Sequence, residues 1–171
     1  MLLILIQCKI FIYLANTIIN LFDISVCLKK LYYITFDKNK NMRFHTRKWI
    51  KPEDLNPNGT LFGGKLLEWI DEEAALYAII QLENQKTVTK YMSEIDFVSS
   101  AKQGDIVEIG IEAVKFGKAS LTLKCEVRNK MSRKTIIKVD QIVMVSLDED
   151  GKARPHGKTQ VEFVKDRLAD K

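Results

Sequence analysis

One long helical pattern followed by four strand patterns constrains the fold of this chain most strongly. From Gly64 to about Leu82, apolar residues recur three and four positions apart, which predicts a helix with a broad and largely buried apolar face. The strand patterns follow at residues 86–97, 106–115, 119–128 and 135–147. Consecutive strands joined by hairpins pair antiparallel, so the sequence predicts an α+β fold with one helix against an antiparallel sheet.

Local patterns refine this prediction. Residues 119–128 alternate cleanly, with one face formed by apolar side chains: Leu121, Leu123, Cys125 and Val127. The pair Phe116-Gly117 lies where a hairpin must turn. The segment 135–147 is apolar on both faces towards its end, which is typical of a central or interface strand. Residues 43–50 predict a short first strand, and residues 51–63 predict a loop.

The first 41 residues differ in composition from the rest of the chain. They contain no Gly, Pro, Arg, Glu or Trp, and six residue types with largely AT-rich codons supply 30 of them. Translated upstream DNA, with the native start at Met42, is therefore the preferred interpretation. A membrane anchor or signal peptide is the alternative, although the longest uncharged run, Ile10–Phe22, is shorter than the roughly 20 residues that span a bilayer. We expect a leader at 1–41, one domain at 42–159 and a charged tail at 160–171.

Charge and cysteine content exclude several function classes. The net charge of +5 falls to +2 once the five lysines and two aspartates of residues 1–41 are set aside, which is too small to indicate nucleic-acid binding. Cys125 is the single cysteine of the expected domain, so the sequence offers no disulfide framework or zinc cluster there. A lone thiol favours a reducing compartment, and we expect a cytoplasmic protein.

The run Asn56-Pro-Asn-Gly-Thr-Leu-Phe-Gly-Gly-Lys-Leu-Leu-Glu-Trp-Ile-Asp71 carries the chemistry. Gly63 and Gly64 permit close backbone approach, and the helix that follows begins with free N–H groups that stabilise a developing negative charge. Asp71 lies about two helical turns further on. The run therefore predicts a site that polarises a carbonyl and attacks it with water. The alternatives are a solvated Asp71 and an Asn56 that only forms a turn.

This run resembles the signature of hot-dog-fold acyl-CoA thioesterases, in the YciA-like and cytosolic acyl-CoA hydrolase group. Weaker similarity extends over residues 43–157, with a departure at Ser100, where that family often has proline. The resemblance implies a hot-dog fold, in which the sheet wraps around the helix. It also implies hydrolysis of fatty acyl-CoA to a free carboxylic acid and CoA, with no metal or redox cofactor.

The resemblance further implies residue roles. Asp71 would act as general base, with direct nucleophilic attack as the alternative, and Asn56 would orient the water or hold the thioester. The Gly64 N–H would donate to the thioester oxygen beside Gly63. For CoA, the hairpin residues Lys118 and Ser120 are preferred over a second basic cluster: Arg128, Lys130, Arg133 and Lys134. Such subunits generally pair as homodimers, with Asn56 of one facing Asp71 of the other, and dimers can form hexamers.

A non-catalytic acyl-CoA-binding or sensing module is the alternative function. It would keep the glycine loop without needing both Asn56 and Asp71, so their joint presence favours the enzyme. The sequence has no Gly-x-Ser-x-Gly motif, which argues against an α/β-hydrolase. A membrane-attached enzyme for long acyl chains would depend on a real leader.

Overall fold

The computed structural model describes residues 42–162, so the predicted leader and residues 163–171 of the tail lie outside the described residues. A first strand, β1 (Phe44–Trp49), is followed by a short 3₁₀ turn at Pro52–Asp54 and by the helix α1 (Gly63–Leu82). Five strands complete the chain order: β2 (Thr87–Met92), β3 (Asp96–Phe97), β4 (Ile106–Phe116), β5 (Ser120–Asn129) and β6 (Thr135–Ser146).

The strands form one antiparallel sheet. Its order is β1-β4-β5-β6-β2, and β3 also pairs with β6. Helix α1 packs against β2, β4, β5 and β6. An antiparallel sheet around one long helix confirms the predicted α+β, hot-dog arrangement. The expected strand at 43–50 and the central position of β6 are also confirmed.

The core lies between α1 and the inner face of the sheet. The helix buries a row spaced about one turn apart, which includes Leu66, Ile70, Ala74 and Ala78. The alanines are small, so the helix backbone can approach the sheet closely. From β5, the predicted face of Leu121, Leu123, Cys125 and Val127 is buried opposite this row. Leu76 and Ile80, on another side of α1, are exposed, so the helix is less completely buried than its apolar pattern predicts.

The predicted strand at 86–97 is interrupted after Met92. Both parts pair with β6, and the register does not change across the break, since Met92 is opposite Ile142 and Asp96 is opposite Lys138. At the break, the Ser93 N–H donates to the Gln141 carbonyl at 2.9 Å, and the Gln141 N–H donates to Ser93 Oγ at 3.2 Å. The serine hydroxyl thus replaces a backbone acceptor, which an alternation pattern does not reveal.

The helix begins at Gly63, one residue before the predicted start. None of the helices within residues 42–162 is long and apolar enough to cross a membrane.

Candidate active site

The loop before α1 is organised by the side chain of Asn56. Its Oδ1 accepts hydrogen bonds from the backbone N–H groups of Asn58 at 2.9 Å and Thr60 at 3.3 Å. Its Nδ2 donates to Thr60 Oγ1 at 2.9 Å. Gly59, at φ +72°, completes the turn in a conformation that favours glycine. Asn56 is therefore the turn former that one interpretation predicts, and the same half-buried side chain lines the adjoining cleft.

A cleft of about 360 Å³ opens at the N-terminal end of α1. Its apolar wall is buried and comes from Leu61, Leu66, Ala101 and Ile136. The remaining lining residues are one ring, one glycine and four polar side chains: Phe97, Gly63, Asn56, Thr60, Ser99 and Ser100. The cleft thus combines an apolar surface with a few polar groups, as small-molecule sites commonly do.

The start of α1 has open backbone donors. Phe62 occupies the N-cap position and supplies no side-chain hydrogen bond, and the first turn holds no acidic residue. The first bond of the helix runs from the Leu66 N–H to the Phe62 carbonyl at 3.1 Å. The N–H groups of Gly63 and Gly64 are therefore left without a capping side chain at the positive end of the helix dipole.

Aromatic rings pack directly on both glycines. A Cβ on Gly63 would lie 3.1 Å from Cζ of Phe97, and a Cβ on Gly64 would lie 2.6 Å from Cε1 of Phe62. Contacts this short leave no room for a side chain unless the rings move. A side chain at either glycine would therefore have to displace the neighbouring ring, and both rings are about half exposed.

Asp71 lies on α1 with an exposed side chain. Its Oδ1 accepts a hydrogen bond of 2.6 Å from the hydroxyl of Thr89, on β2. Among the described residues no donor contacts Asp71 Oδ2. The carboxylate is thus oriented through one oxygen and leaves the other available to accept a proton.

A single chain does not bring all the predicted residues together. Asn56 and Gly63 share the cleft, whereas Asp71 and Gly64 are not among its lining residues. Lys118 and Ser120 lie apart from it, on the turn between β4 and β5, and Lys118 is exposed.

The second basic cluster is largely committed to one buried carboxylate. Glu108 is 1% exposed and contacts Arg128 Nε at 2.7 Å, Lys130 Nζ at 2.7 Å and Arg133 Nη1 at 2.8 Å. Burial of Glu108 opposes its ionisation, but the hydrogen bonds from Lys130 and Arg128 outweigh burial and lower its pKa. The Arg128 guanidinium also stacks on the Phe44 ring at 3.6 Å. These contacts support a structural role for the cluster.

Sequence reasoning did not identify Thr89 and Phe97 as site residues. Thr89 lies 18 residues from Asp71, and only the pairing of strand and helix brings them into contact. Phe97 belongs to the two-residue strand β3 beyond the break. Both fall in segments that resemble the thioesterase pattern, which is the one signal in the sequence that points to them. Within residues 42–162, no group of three His, Cys, Asp or Glu side chains is placed to hold a metal ion.

Comparisons with known proteins identify the family of this chain. Residues 58–136 match the model of the thioesterase superfamily. An uncharacterized acyl-CoA thioester hydrolase of Buchnera aphidicola subsp. Schizaphis graminum is 30% identical over 107 residues, which are 59% of this chain and 78% of that protein. The chain belongs to the acyl-CoA thioester hydrolase family. The alignment with YciA of Salmonella typhimurium is 29% identical and covers 71% of this chain and 95% of that protein.

Members of this family with solved structures share the fold. The hexameric thioesterase y2039 from Yersinia pestis is 27% identical, with a TM-score of 0.63 over 71% of this chain and 98% of that one. An acyl-CoA hydrolase from Staphylococcus aureus, in complex with butyryl-CoA, CoA and CoA disulfide, is 28% identical, with a TM-score of 0.59 over 64% and 66%. The chain spans 56%, 59% and 63% of the lengths of three further family members.

Proposed function

We propose that this protein hydrolyses acyl-CoA thioesters to a free carboxylic acid and CoA. The observation that carries this proposal is the Asp71 carboxylate, which Thr89 holds at 2.6 Å on a helix that begins with two uncapped glycine N–H groups. A base and open anion-stabilising donors are the two components that water attack on a thioester needs. The names of the family members above support the same reaction.

In the proposed mechanism, Asp71 Oδ2 takes a proton from a water molecule as that water attacks the thioester carbon. The carbonyl oxygen becomes an oxyanion, which the Gly64 N–H and the helix dipole of the subunit that supplies Asn56 stabilise. Gly64 and Asp71 of one helix lie about two turns apart, so the two groups that act on one thioester come from different subunits. Removing one such donor costs about 3–4 kcal/mol in other hydrolases. Collapse of the intermediate breaks the C–S bond and releases CoA as the leaving thiolate, which is then protonated. The Asn56 amide orients the thioester or the water from the cleft.

We propose that two subunits form each site. Asn56 lines the cleft and Asp71 does not, and this separation supports a site in which a second copy supplies the missing group. In the described part of the chain, no strand pairs with the outer edge of β2. This edge and its continuation expose large apolar side chains: Val88, Tyr91, Phe97 and Val98. An unpaired apolar edge favours pairing with another chain. The hexameric Yersinia pestis relative supports a trimer of such dimers.

Complementation between inactive subunits tests the shared site. Asn56→Ala and Asp71→Ala proteins are each inactive in this account, and mixing them with subunit exchange places one intact site in every heterodimer. Random exchange should restore about a quarter of the wild-type activity, because half of the dimers are mixed and each has one intact site. Native mass spectrometry verifies the exchange. Mixed dimers without activity would contradict a shared site.

The CoA moiety is proposed to bind at the turn between β4 and β5. Lys118 presents an exposed cation there, and Ser120 presents a hydroxyl beside it. Ammonium and hydroxyl groups are suitable donors to phosphate oxygens. The cytoplasmic location remains part of the proposal, because it rests on the single thiol of the domain.

A further inference from the structure

The chain after β6 folds back beside the end of that strand and contacts the proposed CoA-binding turn. We call residues 154–162 the C-terminal strap. At its start, the Arg154 N–H donates to the Ser146 carbonyl at 2.8 Å, beside a bridge between Leu147 and Ala153. The strap has no helix or strand of its own, so side-chain and backbone contacts at individual residues fix its position.

His156 joins the strap to the turn through two hydrogen bonds. Its backbone N–H donates to the Lys118 carbonyl at 3.2 Å, and its Nε2 lies 3.2 Å from the Ser120 carbonyl. Because Nδ1 accepts the Lys158 N–H at 3.0 Å, the ring proton is on Nε2, which therefore donates to Ser120. The ring also packs edge-on against Phe116, with 6.2 Å between centroids.

The turn that His156 contacts is short and tight. The Gly117 N–H donates to the Ser120 carbonyl at 2.7 Å, and this bond closes a loop of two residues, Lys118 and Ala119. A Cβ on Gly117 would lie 2.5 Å from Ser120 Oγ, so a larger residue there would force the Ser120 hydroxyl to rotate. His156 uses the Lys118 carbonyl and the second acceptor position of the Ser120 carbonyl. It therefore fixes the orientation of the two residues that carry the proposed CoA contacts.

The other end of the strap is fastened to the C-terminal end of α1. Lys158 Nζ contacts Glu83 Oε2 at 2.8 Å and Glu162 Oε2 at 2.7 Å. The Glu162 N–H donates to Oε1 of Gln81 at 3.0 Å, and Gln81 is 2% exposed. The turn is thus braced against the helix through His156, and the brace contacts neither Asp71 nor the residues of the cleft.

We propose that His156 is a positioning residue for CoA binding. It holds the turn so that Lys118 and Ser120 point at the nucleotide half of the substrate, and this role rests on the proposed function. Its loss should weaken binding of CoA without slowing the chemical step. A residue that only stabilises the fold would instead affect all thioesters equally.

Two substitutions separate these roles. Both variants keep the backbone bond to the Lys118 carbonyl. His156→Gln places an amide N–H near the position of Nε2 and keeps the side-chain bond to Ser120, whereas His156→Asn places a carbonyl near Nδ1 and keeps only the side-chain bond to Lys158. The substrates are butyryl-CoA and butyryl-pantetheine, which lacks the nucleotide. Thermal unfolding of both variants shows whether the fold is retained.

We expect His156→Asn to raise KM for butyryl-CoA about 2- to 10-fold, which corresponds to the loss of one hydrogen bond. The kcat for butyryl-CoA and the KM for butyryl-pantetheine should not change. His156→Gln should stay near the wild-type KM. Equal losses on both thioesters, or the same KM in both variants, would overturn the proposal.

Binding of CoA itself keeps this proposal separate from the hydrolase activity. If the wild-type protein turns over neither thioester, the proposed function fails, and calorimetry with CoA then tests His156 alone. Weaker CoA binding by His156→Asn than by His156→Gln would support the positioning role. Equal affinities, or no CoA binding by the wild-type protein, would overturn it.

Discussion

The hydroxyl of Thr89 donates to Asp71 Oδ1 at 2.6 Å and so ties the edge strand β2 to the helix that carries the acid. Thr89 is half-buried, and its Oγ1 also lies 3.4 Å from Sδ of the buried Met144. The position of the hydroxyl is thereby fixed by the sheet. Asp71 is exposed, so without this contact its carboxylate would be free to rotate in solvent.

Thr89→Val should lower kcat about 10- to 100-fold, because a hydrogen bond to a charged group contributes about 1.5–3 kcal/mol. Valine keeps the shape of threonine and removes only the hydroxyl. Thr89→Ser retains the hydroxyl and is the matched control, with kcat near the wild-type value. Steady-state kinetics on one acyl-CoA measures both variants. Equal activities would show that the hydroxyl does not position Asp71.

Gly63→Ala should obstruct substrate binding in the cleft, because it displaces the ring of Phe97. The new methyl group would lie 3.1 Å from Cζ of that ring, so the ring must move. Phe97 is 48% exposed, and the protein should still fold. We expect kcat/KM to fall about fivefold, which corresponds to a loss of roughly 1 kcal/mol in transition-state stabilisation.

The double variant Gly63→Ala, Phe97→Leu supplies the control, because a smaller side chain at position 97 relieves the contact. A double-mutant cycle on kcat/KM should therefore show a favourable coupling between the two substitutions. Strictly additive losses would indicate that Gly63 acts through something other than this contact.

Glu108→Gln should destabilise the fold at neutral pH by about 3 kcal/mol, since it leaves three cations facing a neutral amide. The pKa of Glu108 is lowered below its ordinary value of 4.5, so its contribution is fully present above that pH. The contribution is lost as the pH falls through the lower pKa of the folded state.

Urea unfolding of the wild-type and Glu108→Gln proteins at several pH values measures this contribution. The difference in unfolding free energy should be constant near neutral pH and shrink as the pH falls below the ordinary glutamate pKa of 4.5. A difference that grows on acidification would contradict the assignment of Glu108 as a stabilising carboxylate.

Cys125 should be inert towards thiol reagents in the folded protein. It is 2% exposed, and burial raises the pKa of its thiol to about 12. Alkylation with iodoacetamide at pH 8, followed by peptide mass spectrometry, should modify Cys125 in urea but not in native buffer. Rapid native labelling would show that β5 opens far more readily than its packing indicates.

Local patterns predicted those parts of the fold that depend on neighbouring residues. The period of α1 and the alternation of β5 reflect which face of one element is buried, and the tight turn at Gly117 depends on a few adjacent residues. The roles predicted for Asn56 and Asp71 came instead from the resemblance of a short motif to the thioesterase signature, and they stay predictions. The helix period, the strand alternation and the turn are each encoded within a single element or turn.

The contacts that the sequence could not predict join distant segments. Thr89 and Asp71 are 18 residues apart, and His156 and Ser120 are 36 apart. Each pair depends on the register of strands and the path of the strap, which a residue pattern does not specify. The sequence likewise does not distinguish Glu108 from an ordinary surface charge, because only the pairing of β4 with β5 places the cations around it.

Release of free thiol from a panel of acyl-CoAs, short to long, tests the central claim most directly. The wild-type protein should hydrolyse at least one chain length, and Asp71→Ala should abolish turnover while leaving the assembly intact. Glu72→Ala is the matched control, because Glu72 is the next acid on α1 and forms a surface ion pair with Lys48 at 3.2 Å. Equal turnover in Asp71→Ala, or no turnover by the folded wild-type protein on any chain length, would contradict the account.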